Sequence, residues 1–184
     1  MRIAPRTGRT LTRAFVFLLA SVVQAEIIDN YPSRQALIIN NCPYVELSGF
    51  SYANRTGSSG TRFTEELSWK NSGTQPLVAF EIVVLKYDAF NRRMLGTRWT
   101  VTGKNSADWR PLEAGDSGSD GTSSFGGEEV LTAIAYVRFA RLADGTIWTT
   151  HDLDLLKELH RVAPGIRDFG DTKPDPRPKS AREN

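Results

Sequence analysis

Leu77-Val-Ala-Phe-Glu-Ile-Val-Val-Leu-Lys-Tyr87 is the stretch that decides the fold. Val78, Phe80, Ile82 and Val84 alternate with Ala79, Val83, Leu85 and Tyr87, so both faces are apolar. That pattern belongs to a strand covered on both sides in the middle of a sheet. Glu81 and Lys86 are expected near its covered edges. Turn signals bracket the run: Asn71-Ser-Gly-Thr-Gln-Pro76 before it and Asp88-Ala-Phe-Asn91 after it.

Further strands follow outward in both directions. Arg62 to Asn71 places Phe63, Leu67 and Trp69 on one face, with Thr64, Glu66, Ser68 and Lys70 toward water. Asn54-Arg-Thr-Gly-Ser-Ser-Gly60 reads as a loop. Before it, Tyr44 to Ala53 alternates Val45, Leu47 and Gly49 against Tyr44, Phe50 and Tyr52. On the C-terminal side, Arg93, Leu95, Thr97, Trp99 and Val101 alternate with Met94, Gly96, Arg98 and Thr100. Trp109 to Leu112 is expected as a short edge strand, because Pro111 lacks an N–H. Glu113 to Glu129, rich in Gly, Ser and Asp, reads as a long loop, with a short strand around Phe125 as the alternative. Val130 to Leu142 is a second strong strand, with Leu131, Ala133, Ala135, Val137 and Phe139 expected inward and Thr132, Tyr136 and Arg138 outward. Asp144-Gly145 marks a tight hairpin returning through Thr146 to Thr149.

One helix closes the domain. Asp152 is expected to cap it, Leu153, Leu156 and Leu159 to share its buried face, and Pro164-Gly165 to stop it. About seven short strands at close spacing, with one C-terminal helix, predict an all-β, immunoglobulin-like antiparallel β-sandwich. The expected organisation is a signal peptide over residues 1–25 and an N-terminal extension over 26–43. The sandwich domain with its helix spans 44–169, and a disordered tail spans 170–184. The tail's Lys-Pro-Asp-Pro-Arg-Pro-Lys run has nothing apolar to bury against its ordering entropy.

The leader predicts where the protein works. Arg2, Arg6, Arg9 and Arg13 precede the apolar run Ala14 to Val23, and Val23-Gln24-Ala25 supplies small residues before Glu26. This is the three-part layout of a secretory signal peptide. The run is shorter than the roughly 20 residues of a membrane-spanning helix. A membrane association is therefore expected only if the leader stays uncleaved. Glu26, not Cys, follows the small-residue site, which argues against a lipoprotein. The expected location is periplasmic or secreted.

Cleavage also changes the charge. The whole chain has 23 basic and 21 acidic residues, net +2. The leader carries four Arg and no acid, so the remainder has 19 against 21, or −2. Without a basic excess, nucleic acid is not an expected partner. Cys42 is the single cysteine, which excludes an intrachain disulfide and leaves a small packed residue or a pair between chains.

Three segments together resemble a known family: Trp69-Lys-Asn-Ser-Gly-Thr-Gln-Pro-Leu77, Val84-Leu-Lys-Tyr-Asp88 and Leu112-Glu-Ala-Gly-Asp-Ser117. Their order is similar to that in FxLYD-type immunoglobulin-like domains of bacterial exported proteins, over roughly Arg62 to Thr149. Tyr87 and Asp88 match the naming motif, while Val84 and Lys86 stand where the family has Phe and Leu. The resemblance implies a non-enzymatic module and transfers no active site.

Other short patterns resolve to plain chemistry. Gly115-Asp-Ser-Gly118 is similar to a serine-protease nucleophile segment, but the chain outside the leader offers only His151 and His160 as bases, both after Ser117. Asp116 to Glu129 has acids at the wrong spacing for a calcium loop: position 3 is Gly118 and position 12 is Gly127. His151, Asp152 and Asp154 at a strand-to-helix junction read as helix-end chemistry, not a metal site. Trp69 and Trp99 are expected in the core and Trp109 exposed, with Trp148 packed on Phe139 or Val137. Arg98 and Arg138 would make an anion-attracting patch if their strands paired. Asn54-Arg-Thr56 is a glycosylation sequon only in a host that uses one. No catalytic, cofactor-binding or metal-ligating residue is assigned, and no cofactor is expected.

The expected function is an exported, non-enzymatic module for protein–protein interaction or envelope structure, with another envelope or extracellular protein as partner. A ligand-binding module for an envelope glycan or an anion is the alternative, and a hydrolase the least favoured reading. N-terminal sequencing of protein recovered from the periplasm or medium is expected to begin at Glu26. Recovery of only full-length, membrane-bound chain would refute cleavage.

Overall fold

The computed structural model describes residues 34–57, 60–103, 109–125, 127, 129–170 and 172, with the side chains of 54–61 excepted. The expected leader, the Asn54 side chain and residues 173–184 lie outside the described residues.

Among the described residues, eight strands form two packed sheets, with one helix after them. The strands are β1 (Gln35–Ile39), β2 (Val45–Gly57), β3 (Gly60–Asn71), β4 (Leu77–Asp88), β5 (Arg93–Thr102), β6 (Ser117–Phe125), β7 (Val130–Leu142) and β8 (Ile147–Thr149). The helix α1 spans Asp152–Val162. The five-stranded sheet runs β1-β7-β4-β5, with β8 also on β7, and the three-stranded sheet runs β2-β3-β6. Counted from β2, the first, second and fifth strands make one sheet and the other four the second. The result is an all-β sandwich followed by a single C-terminal helix.

β4 is central, between β5 and β7, as its two apolar faces require. Phe80, Ile82 and Val84 face the three-stranded sheet and pack with Leu67, Trp69 and Val137. The Trp69 ring meets Phe80 edge-on at 5.3 Å. Val83, Leu85 and Tyr87 face the other way, where Leu155 and Leu159 of α1, with Ile166 and Phe169, cover them in a second core. Each of those two leucines contributes about 1.5–3 kcal/mol by burial.

The strictly antiparallel expectation is corrected at the N-terminus. Gln35 to Ile39, expected in an extension lying on the domain, run parallel to β7, with Gln35 opposite Thr132 and Ile39 opposite Tyr136. After them Asn40 and Asn41 replace peptide groups. Asn40 Oδ1 accepts the Leu47 N–H at 2.7 Å and its Nδ2 donates to the Leu47 carbonyl at 3.1 Å. Asn41 does the same with Val137, at 3.3 and 3.1 Å. One side chain thus extends each sheet where the chain crosses between them, and Asn41 fills the gap between β1 and β8 along β7.

Three β-bulges re-aim side chains that simple alternation places on the wrong face. A register shift between Ser48 and Ser51, at Gly49 with φ +58°, brings Val45, Leu47, Phe50 and Tyr52 into one core. A second shift opposite Leu85 turns Met94 inward and leaves Leu95 exposed. A third at Arg138 reverses the phase of β7, so Ala140 and Leu142 are buried and Phe139 is exposed. The expectation that Phe139 faces in is therefore corrected; Tyr136 lies on the outward face as expected, but that face is covered there and the ring is buried in the second core. Trp148 sits opposite Ala140 and packs against the core cluster that contains Val137, while Phe139 points to the other face.

The expected loops at 54–60 and 113–129 are strands for much of their length. β2 and β3 continue to Gly57 and from Gly60, and β6 pairs with β3 without a break from Ser117 to Phe125. The small residues of β6 permit a close approach. A Cβ at Gly118 would lie 2.7 Å from the Trp69 ring, and one at Gly121 2.2 Å from the Glu65 carbonyl oxygen. Trp109 to Leu112, expected as a strand, carries isolated bridges at Arg110 and Leu112, the latter to Leu77.

In α1 the buried face is Leu155 and Leu159, one turn apart, and Leu153 is 64% exposed. Its N-cap position is His151, not Asp152. The docked chain continues past the expected domain end to Thr172, whose carbonyl accepts the buried Tyr136 hydroxyl.

Phe80 is 1% exposed at the meeting of both sheets. Phe80→Ala is expected to cost about 3–5 kcal/mol in denaturant melts. A loss below about 1 kcal/mol would contradict this packing.

Candidate functional site

The sequence motifs do not converge. Ser117 opens β6 opposite Lys70, while His151 starts α1 and His160 stacks edge-on against Phe169 at 4.9 Å. Asp116 accepts the Glu113 N–H and pairs with Arg110, and Asp120 accepts the Trp69 indole N–H at 2.9 Å. Four residues of extended chain separate these two carboxylates by about 13 Å, too far to share an ion. Among the described residues no three His, Cys, Asp or Glu side chains gather at one point. Cys42 is a buried core residue, and burial pushes its thiol up to about 11, out of reach of a partner chain's thiol.

The expected Arg98–Arg138 patch does not form, because β4 lies between β5 and β7. Arg138 is 9% exposed and ion-paired with Asp152, whose carboxyl its guanidinium holds below the ordinary range. Trp69 is buried, Trp99 half-buried and Trp109 52% exposed.

Two residues missed by sequence reasoning lie between the sheets. Glu65 of β3 is 1% and Lys86 of β4 8% exposed, and they form an ion pair. Lys86, expected near a covered edge, points instead into the interior. Thr97 donates to the same carboxylate oxygen at 3.0 Å, and the Lys86 ammonium lies 5.7 Å from the Tyr52 ring centre. Burial first, then the neighbouring Glu65 charge, raises the Tyr52 hydroxyl, against the pull of Arg34. Glu65 Oε2 and the Tyr52 hydroxyl are buried without a hydrogen-bond partner among the described residues. A signal was present: Glu65 falls in phase with Phe63, Leu67 and Trp69, and Lys86 with Phe80, Ile82 and Val84. Opposite charges in the inward phase of two strands mark a cross-sheet pair.

The outer face of the five-stranded sheet carries an exposed apolar patch. The second core covers one half of it. The other half holds Ala79, Phe139 and Ile147 around a shallow groove of about 380 Å³, with Glu81, Thr100 and Arg141 on its rim. Phe139 is 40% and Ile147 58% exposed. Arg98, exposed on the same face one step along β5, adds a second cation. A separate cleft of about 370 Å³ lies where β8 meets α1, lined by Trp148, Thr149, His151, Asp154 and Glu158. His151 Nδ1 lies 3.3 Å from an Asp154 oxygen there.

Removing one member of the interior ion pair leaves the other charge buried and uncompensated. Lys86→Leu alone is expected to cost about 3–5 kcal/mol, and Lys86→Leu with Glu65→Leu to recover most of it. Additive losses in the double variant would show that the two side chains do not act as a pair.

No family model and no curated protein matches the chain. Among solved structures, a hypothetical protein from Peptoclostridium difficile 630 is similar at 10% identity and a TM-score of 0.47. The match covers 64% of this chain and 91% of the other. No helix among the described residues is long and apolar enough to cross a membrane.

Proposed function

We propose that this chain is an exported, non-enzymatic, immunoglobulin-like module that binds another protein through the uncovered half of its five-stranded sheet. The observation that carries the reading is the exposed pair Phe139 and Ile147 beside Ala79. Contiguous apolar surface with a polar rim is typical of protein contacts. Arg98 and Arg141 outnumber the one acid, Glu81, on that rim, so the partner segment offers an apolar anchor flanked by Asp or Glu. Kinship with FxLYD-type domains belongs to the same proposal. It is supported by the two matching residues, since Tyr87 is buried in the second core and Asp88 accepts the Phe90 and Arg92 N–H groups of the turn.

A second reading, a glycan-binding module, rests on the cleft joining Trp148 to Thr149, His151 and Asp154. Its two carboxylates disfavour an anion there and leave a neutral sugar as the ligand class.

Selection of a displayed peptide library on the protein, with counter-selection on Phe139→Asp/Ile147→Asp, tests the first reading. Enriched peptides are expected to carry an aromatic or aliphatic residue between acids and to bind at least tenfold more weakly to Arg98→Glu/Arg141→Glu. Enrichment of basic sequences, or equal binding to the Phe139→Asp/Ile147→Asp variant, would overturn it.

A further inference from the structure

The strand edges of this sandwich are protected unequally. β1 and β8 are five and three residues long and divide one edge of β7 between them. β5 carries a bulge with Arg93 and Arg98, and β2 carries the bulge at Gly49. β6 has none of these devices. It keeps unbroken register with β3 over nine residues, contains no Pro, Lys or Arg, and every residue except Gly118 is exposed. A long, nearly uncharged edge is a template for another strand, because one row of its N–H and C=O groups has no partner among the described residues.

We propose that β6 pairs antiparallel with β6 of a second copy of this chain, with Gly121 opposite Gly121. A two-fold axis normal to the sheet keeps inner and outer faces in line and turns each exposed edge into the other's partner. This register overlaps all nine residues. The neighbouring one, centred on Asp120, would set two carboxylates directly opposite each other. With Gly121 central, the single charge on each strand faces the Thr122 hydroxyl of the other copy, a hydrogen-bond donor. The two Asp120 side chains lie diagonal, each still accepting from its own Trp69. On the outer face Phe125, 67% exposed, meets Ser117 of the other copy and the Lys70 beside it. Glycine and serine at 117, 119, 121 and 123 leave room for both rings. The result is one six-stranded sheet, β2-β3-β6 continued by its own copy.

Sedimentation of the full-length chain, recovered as the expressing cell processes it, tests the pairing. The protein is expected to form a reversible dimer as concentration rises. Ser119 and Ser123 face each other across the axis and are exposed. Ser119→Lys/Ser123→Lys is expected to weaken the dimer at least tenfold without changing the melting temperature at concentrations where the wild-type chain is monomeric. Ser119→Lys/Ser123→Glu, which sets Lys opposite Glu only in this register, is expected to restore it. A wild-type chain that stays monomeric at all concentrations would overturn the proposal. So would a dimer untouched by the double lysine, which would place association elsewhere, for example at the Phe139 groove. Failure of the Lys/Glu variant to dimerise would refute the register.

Discussion

Closing two sheets over a lysine is the constraint that fixes this sandwich. Lys86 lies on a central strand that is apolar on both faces, on the face that packs against the opposite sheet. An ammonium taken out of water there costs several kcal/mol unless a carboxylate meets it. Glu65 can do so only if β3 lies over β4 with that residue aligned, so the pair specifies how the sheets stack as well as that they stack. Apolar contacts such as Trp69 on Phe80 tolerate sliding by a fraction of a residue, whereas a desolvated charge does not. Thr97 on β5 accepts the same discipline through its bond to Glu65, which ties three strands to one carboxylate.

The elements legible in the sequence were those whose alternation is uninterrupted. β3, β4 beyond the bulge at Val78 that turns Leu77 inward, and the Asp144-Gly145 hairpin follow directly from side-chain period and turn chemistry. The misreadings fall where a bulge inserts one residue. Phe139 is in phase with Val137 in the sequence, yet the extra residue at Arg138 sends it to the surface, and with it the main feature of the proposed binding face. β6 was illegible for a different reason. Its composition is that of a loop, and what makes it a strand is the unpaired edge of β3 and the clearance its glycines give to Trp69 and Glu65. Neither cause is local. The interior ion pair was within reach, since each charge stands in an apolar phase, but only pairing two strands from separate sheets gives those positions meaning.

The two proposed interaction surfaces lie on different sheets. The groove at Phe139 belongs to the outer face of the five-stranded sheet, and the β6 edge belongs to the three-stranded one. Side-by-side pairing through β6 leaves that outer face uncovered in both copies. The second core, capped by α1 and the segment through Phe169, has the opposite role: it removes half of an otherwise apolar sheet face from contact with anything else.

The asparagines at the crossing between sheets carry a chemical vulnerability. A peptide group cannot lose its nitrogen without breaking the chain, but a side-chain amide can. Deamidation of Asn40 or Asn41 would leave the backbone intact and replace an N–H donor with a carboxylate oxygen, aimed at the carbonyl of Leu47 or Val137. Two acceptors would then face each other, one of them charged, where the sheet needs a hydrogen bond. Using side chains to finish both sheets therefore ties the joint's lifetime to a slow hydrolysis that the rest of the hydrogen-bonded framework resists.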